Sequence, residues 1–241
     1  MMHTVLSVNI NKIATIRNAR GGSMPNVVQV AIDCVRFGAQ GITVHPRPDE
    51  RHITLKDTFD LAAVISDDFN IEGYPDDRFM EMIKAIKPKQ ATLVPDPPNT
   101  LTSDAGWDTI SDFNKLKEIV KTIKSIGVTT VLFIDTDLLK IEYAAKIGAD
   151  RIELYTGPYA SQFEIDKEMA IAPYITAANL AHKLGMGINA GHDLNLENLA
   201  YFKQNIPHLA EVSIGHALIS DALYFGLENT IQRYLYQLNQ H

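Results

Sequence analysis

The sequence predicts one α/β domain over residues 1–241, folded as a (β/α)8 TIM barrel. Three observations predict it. Short β-branched runs alternate with longer amphipathic runs. The alternation repeats through eight strand-like segments, as a parallel βα array requires. The length of 241 residues suits a barrel, whose usual size is about 250. The competing arrangement is an open doubly wound sheet. It would place a glycine-rich phosphate turn after the first strand, and "NINKIATIRNARGG" has no G-x-G-x-x-G.

The expected strands are "TVLSVNI" (4–10), "GITVH" (41–45), "FNIEG" (69–73), "QATLVP" (90–95), "TTVLFI" (129–134), "DRIELY" (150–155), "MGINA" (186–190) and "EVSIG" (211–215). Helical stripes lie between them. Phe79, Ile83 and Ile86 form one; Phe113, Leu116, Val120 and Ile123 form another. Ile175, Ala178, Ala181 and Leu184 make a third, and Leu223, Leu227, Ile231 and Leu235 mark a C-terminal helix. Thr54 with Asp57 reads as a helix N-cap with an acidic third position. Gly148 in "KIGAD" sits where a helix stops before a strand. No linker or low-complexity segment divides the chain.

Composition narrows the partners. Apolar residues make up 46%, enough to bury a sizeable core. The 22 Lys+Arg against 29 Asp+Glu give a net charge of −7, which argues against nucleic acid as a general partner. A small anion held at one local basic site stays open. The lone cysteine, Cys34, lies in the amphipathic run "VVQVAIDCVRFGAQ" and reads as packing. No stretch approaches the ~18 consecutive apolar residues of a membrane span, and no signal-peptide pattern opens the chain. The expectation is a soluble cytoplasmic protein with no membrane contact.

Strand residues alternate between two faces, and in a barrel the apolar phase meets the helices. Leu6, Val8, Ile42, Val44, Phe69, Ile71, Ile152, Leu154, Ile188, Val212 and Ile214 are therefore expected outward. The other phase puts Asn9, His45, Glu72, Glu153 and Asn189 inward, near the C-terminal strand ends, with Ser7, Thr43, Asn70, Arg151, Ser213 and Gly215. Desolvating carboxylates and imidazoles is costly, and one such residue alone could be a buried structural pair. Several at one end of a barrel point to chemistry at its mouth.

The loops past those strand ends add charge: Asn11, Lys12, Arg17 and Arg20 after strand 1, Arg47, Arg51 and His52 after strand 2, His192 after strand 7, and His216 after strand 8. Loops after strands 7 and 8 are a frequent phosphate site in barrels. Two basic clusters suggest two anionic groups. Arg17 and Arg51 are expected to be solvated surface charges. No lysine projects from a strand for a Schiff base, and strand 1 lacks His-x-His for a metallohydrolase. Two histidines and two carboxylates around one site suit serial general acid–base catalysis on carbonyl or imine compounds.

The runs "VNINKIATIRNARG" (8–21), "GITVHPRPDERHI" (41–53), "NIE" (70–72), "LVP" (93–95), "FID" (133–135), "IELYTGPYA" (152–160), "NAGHDL" (189–194) and "IGHALI" (214–219) closely resemble the pyridoxine 5′-phosphate synthase family. The match runs through essentially the whole chain, in order. It implies a barrel with extra helices, assembled as a homo-octamer. It implies condensation of 3-amino-2-oxopropyl phosphate with 1-deoxy-D-xylulose 5-phosphate to give pyridoxine 5′-phosphate, phosphate and water. No metal and no cofactor are implied. By matching motif, His45 and Glu72 would accept protons, His192 would donate one, and Glu153 would stabilise a transition state. Asn9, Arg20, Gly215 and His216 would hold the amino-ketone phosphate, and Asp193, which follows the donor histidine, could keep a backbone N–H contact to substrate. Arg47, His52, Thr102, Asn11 and Lys12 would hold the deoxyxylulose phosphate.

Two positions depart from the family's pattern. Asn11-Lys12 stands where the best-known members have Asp-His, which removes a carboxylate near His45 but keeps a cation for phosphate. Asp193 stands where glycine is usual. A carboxylate aimed at a phosphate would repel it, so Asp193 is expected to point away. The segment "PDPPNTLTSDAGW" (95–107) could be a lid or a proline-stiffened rigid loop. On the residues alone, a metal-dependent phosphosugar epimerase is the runner-up, and a non-catalytic barrel binding a phosphorylated metabolite is the third reading.

Overall fold

The computed structural model describes residues 4–66, 68–96 and 105–240. Eight parallel strands close into a barrel in sequence order. They are β1 (Val5–Asn9), β2 (Gly41–Val44), β3 (Asp68–Gly73), β4 (Gln90–Leu93), β5 (Thr129–Ile134), β6 (Arg151–Tyr155), β7 (Gly187–Gly191) and β8 (Leu209–Ile214). All eight predicted strands are present, most trimmed or moved by one or two residues. Eleven helices lie among the described residues. The β1–β2 connection holds both α1 (Asn11–Arg20) and α2 (Val27–Arg36). The next connections carry α3 (Leu55–Ala62), α4 (Asp77–Ile86), α5 (Phe113–Ser125) and α6 (Leu138–Ile147) in turn. Between β6 and β7 the short α7 (Gly157–Phe163) precedes α8 (Lys167–Lys183), and α9 (Leu199–Asn205) links β7 to β8. After β8 come α10 (His216–Phe225) and α11 (Leu227–Asn239).

The alternation works as the sequence predicts. Leu6, Val8, Ile42, Val44, Ile71, Ile152, Leu154, Ile188, Val212 and Ile214 are fully buried in the apolar core. The opposite phase is polar and its members bond to one another across the barrel. Ser7 Oγ lies 2.7 Å from Thr43 Oγ1, Asn70 Nδ2 donates to Thr43 Oγ1 at 3.4 Å, and Thr92 Oγ1 donates to Asn70 Oδ1 at 3.0 Å. Each buried polar group thus recovers part of the hydrogen bonding it loses with water.

A second interior cluster lies toward the N-terminal strand ends. Gln90 Nε2 donates to Glu211 Oε2 at 2.5 Å and to Asp68 Oδ1 at 2.7 Å. Asn189 Nδ2 donates to Gln90 Oε1 at 3.2 Å, and its Oδ1 accepts from Arg151 Nη1, also at 3.2 Å. Asn189 therefore sits a layer below the barrel mouth, not near the top as predicted. Stagger between tilted strands separates position along a strand from height in the barrel.

Burial, with Asp68 nearby, pushes the Glu211 carboxyl up to about 7, and its Oε1 makes no hydrogen bond among the described residues. The folded chain therefore holds this proton more tightly than the unfolded chain. The stability it contributes is fully present below about pH 4.5 and is lost as pH rises toward about 7. Glu211→Gln mimics the protonated form. It is expected to leave stability unchanged near pH 4 and to raise it by up to about 3 kcal/mol near pH 8. Urea unfolding at the two pH values measures this; an equal effect at both would contradict it.

The Thr54 cap is present as a full capping box. Thr54 Oγ1 accepts from the Asp57 amide at 3.1 Å, and Asp57 Oδ2 accepts from the Thr54 amide at 2.8 Å. Gly148 ends α6 at φ 94 in the left-handed region, where a side chain would be strained. The predicted C-terminal helix is two helices. Gly226, at φ 75, breaks it between α10 and α11, and Leu223, assigned to its stripe, is 74% exposed. Arg17 is also a correction. It is not solvated: its side chain is 12% exposed and makes a two-pronged pair with Asp57, at 2.6 and 2.8 Å.

Candidate active site

The C-terminal strand ends open into a cavity of about 560 Å³. β1 brings Asn9, and the start of α1 brings Asn11 and Lys12. The loop after β2 brings His45, Arg47, Arg51 and His52. β3 supplies Glu72, β6 supplies Glu153, and the turn after β7 supplies His192 and Asp193. Gly215 and His216 enter where β8 passes into α10.

The amides at the mouth are tied together. Asn9 Nδ2 donates to Glu72 Oε2 at 3.3 Å, and Asn9 Oδ1 accepts from the Asn11 amide at 3.1 Å. Asn11 Oδ1 accepts from the His45 amide at 2.9 Å. Asn11 thereby holds the His45 backbone with a neutral oxygen, so no carboxylate sits there to raise the imidazole.

Charge around the mouth divides the titrating groups. Burial, then Arg47, His52 and Arg51, push His45 down to about 3, so it is neutral near pH 7. Burial and Arg47 and Lys12 push His52 down to about 4. His52 Nδ1 accepts from the Ile53 amide at 2.9 Å, which leaves the proton on Nε2 as a donor. Burial, opposed by His192 and aided by Glu211 and Asp96, pushes Glu72 up to about 7. Glu153 is pushed well above the usual carboxylate range by burial and by Glu72 and Glu211. His192 goes the other way. Burial lowers it, but the Asp193 hydrogen bond, with the charges of Asp193, Glu72 and Asp96, outweighs burial and holds it above the ordinary histidine value.

Two backbone features fix this floor. A Cβ at Gly191 would collide with Glu153 Oε1 and stand 2.9 Å from the Ser213 carbonyl oxygen, so only glycine lets that carboxyl lie where it does. His192 follows at φ 92, a left-handed conformation that costs roughly 1–3 kcal/mol outside glycine. Such strain persists where surrounding contacts hold the residue in place.

The family described as "Pyridoxal phosphate biosynthesis protein PdxJ" matches residues 6–240. The chain belongs to the PdxJ family. It is 61% identical over 236 residues to pyridoxine 5'-phosphate synthase of Parabacteroides distasonis, covering 98% of this chain and 99% of the relative. It is 59% identical over 235 residues to the synthase of the same name from Porphyromonas gingivalis, with the same coverage. Among solved structures, tryptophan synthase from Mycobacterium tuberculosis superposes with a TM-score of 0.68 at 12% identity, covering 99% of this chain and 94% of that one. Phosphoribosyl anthranilate isomerase from Thermotoga maritima superposes with a TM-score of 0.60 at 11% identity, covering 98% of each chain. At those identities the likeness is one of fold.

In this PdxJ-family barrel, twelve of the fourteen predicted site residues line one cavity. Arg20 does not. It ends α1 and is exposed. Thr102, with most of the 95–107 segment, lies outside the described residues. Arg51, expected to be solvated, is partly buried at the cavity rim and pairs with Asp49, Nε to Oδ2 at 2.7 Å. Phe133, from β5, lines the cavity and is absent from the predicted set. Its phase in "TTVLFI" is the available signal, but that strand is apolar on both faces. No three His, Cys, Asp or Glu side chains converge as a metal-holding group among the described residues. No helix among them is long and apolar enough to cross a membrane.

Proposed function

We propose that this chain condenses 3-amino-2-oxopropyl phosphate with 1-deoxy-D-xylulose 5-phosphate to form pyridoxine 5′-phosphate. Phosphate and water are released. The observation that carries this reading is the division of proton affinities within one cavity. His45 is held neutral, Glu72 is poised near 7, and His192 is held toward its protonated form. Ring formation from an amine and two carbonyl groups needs protons taken from carbon and returned to departing oxygens several times. His45 and Glu72 are suited to take them, and His192 to give them. Glu153, whose protonated form burial favours, can donate a hydrogen bond to charge developing in the transition state.

Arg47 and His52, with Lys12 and Asn11, form the rim suited to the deoxyxylulose phosphate. Gly215 and His216 open α10, whose first turn receives no side-chain cap, so its amides can meet the amino-ketone phosphate beside Asn9. Arg20 and Thr102 keep the roles the resemblance implies, whereas the Asp193 amide is already given to Thr156 Oγ1 at 3.2 Å, so Asp193 bears on this site through its side chain. The cytoplasmic location and the homo-octamer belong to the same reading, and light scattering measures the oligomer.

The test mixes purified protein with both phosphorylated substrates and follows pyridine-ring absorbance and phosphate release together. Both signals are expected in step. Folded protein that gives neither at any pH would defeat the proposal. Binding of both phosphates without turnover would favour a barrel retired from catalysis.

A further inference from the structure

We propose that Asp193 is a positioning residue for His192: its carboxylate holds the imidazole at Nδ1 and leaves Nε2 as the nitrogen offered to the reacting atoms. The inference rests on the donor role given to His192 above.

The geometry is local and well anchored. Asp193 Oδ2 lies 2.6 Å from His192 Nδ1. This is how Asp193 resolves the repulsion expected of a carboxylate beside an anion site: it is turned onto the neighbouring imidazole. Its own backbone is held on both sides. The Asp193 amide donates to Thr156 Oγ1 at 3.2 Å, and its carbonyl accepts from Asn198 Nδ2 at 3.3 Å. Thr156, fully buried, donates in turn to the Gly191 carbonyl at 2.5 Å. The β6–α7 turn and the N-terminus of α9 therefore brace the residue that braces the histidine. On another side, the Tyr155 ring meets the imidazole edge-on, with centroids 5.5 Å apart and planes at 79°. The imidazole is thus restrained by packing as well as by the carboxylate.

A carboxylate at one imidazole nitrogen does two things. It fixes the tautomer, so the neutral ring carries its proton on Nδ1. It also favours the imidazolium, so the ring keeps a transferable proton to higher pH. Other charges face this ring. Glu72 from β3 and Asp96 from beyond β4 add to the effect of Asp193, and burial opposes it. Glu153 from β6, Lys12 from α1 and His216 from α10 share the cavity. Asp193 differs from the facing carboxylates in bonding the ring directly.

Two variants separate charge from contact. Asp193→Asn keeps an oxygen acceptor and removes the charge. Asp193→Gly removes both. Nitrogen-15 NMR of the His192 imidazole reads tautomer and titration directly, without substrate. The expected result is that Asp193→Asn keeps the Nδ1–H tautomer but titrates at lower pH, and that Asp193→Gly also loses the single tautomer. In steady-state assays, kcat of Asp193→Asn is expected to fall about tenfold near pH 8, at the lower edge of the 10–100-fold seen for outer partners of metal-bound imidazoles. It is expected to recover toward wild type as pH falls and the variant's imidazole regains its proton. KM for either substrate should stay within about twofold.

Unchanged titration and tautomer in both variants would overturn the proposal, whatever the rates do. A rise in KM with kcat intact would also overturn it, because Asp193 would then be holding substrate. If the titration moves while the pH profile of kcat does not, the contact stands and the donor role of His192 fails. Near-normal turnover by His192→Gln would remove that donor role independently.

Discussion

Glu72→Gln is expected to lower kcat by about 100- to 10,000-fold while leaving binding of deoxyxylulose phosphate nearly intact. The substitution keeps the shape and the contact with Asn9 Nδ2, now to an amide oxygen. It removes the ability to take a proton. The rim proposed for the phosphate is built from other elements, so affinity measured by calorimetry should change by less than about threefold. The pH dependence follows from the same burial. As a base, Glu72 works only when ionised, and burial has pushed it up to about 7. Wild-type activity should therefore climb with pH through about 7, and this limb should be missing from the residual activity of the variant. Near-normal turnover would remove Glu72 from the proton-transfer steps. Equal loss of binding and rate would recast it as a structural member of the floor.

Arg17→Met is expected to cost about 3 kcal/mol of stability, because it strands a carboxylate built into a helix start. Asp57 is nearly buried, caps α3 through Thr54, and takes both prongs of the Arg17 guanidinium. Arg17 Nη2 also donates to the His52 carbonyl at 3.2 Å, and Asn18 Nδ2 donates to it at 2.8 Å. Losing Arg17 therefore loosens the loop that presents His52, and the affinity for deoxyxylulose phosphate should weaken along with stability. The sign with pH is fixed by Asp57. Burial raises its carboxyl, but Arg17 and Thr54 outweigh burial and hold it below the usual range. A depressed carboxylate contributes stability above its unfolded value, near pH 4, and loses it as pH falls through the lowered folded value. The gap between wild type and Arg17→Met should thus be widest at neutral pH and shrink in acid. Denaturant titrations at several pH values measure it. A constant gap below about 0.5 kcal/mol is what an exposed pair would give, and would restore the solvated reading of Arg17.

Arg17 also illustrates where the sequence stops being legible. Strand order and inward phase can be read from alternation, because burial imposes a period of two on every strand. That alone brings out Asn9, His45, Glu72 and Glu153 as neighbours. Arg17 and Asp57 lie forty residues apart on different helices, and no period links them. Gln90 and Glu211 are hidden for another reason. Each lies at or near a strand start, where a single polar residue looks like a strand boundary. For Asn189 the pattern yields the correct phase but the wrong height, since stagger is a property of the closed barrel and not of any strand. The break at Gly226 is masked because its stripe keeps helical spacing across two helices. Asp193 stands out as a departure, yet its turn onto His192 depends on Thr156 and Asn198, which nothing in the local sequence connects.

The lower interior cluster joins the two halves of the chain. Gln90 belongs to β4, whereas Asn189 and Glu211, which it bonds, belong to β7 and β8. Cutting the polypeptide between β4 and β5 would leave each half with an amide or a carboxyl whose partner is on the other piece. Neither half could close its interior alone, but together they would carry matching polar surfaces. Cut there, the two pieces would face one another through these polar groups as well as along their exposed strand edges.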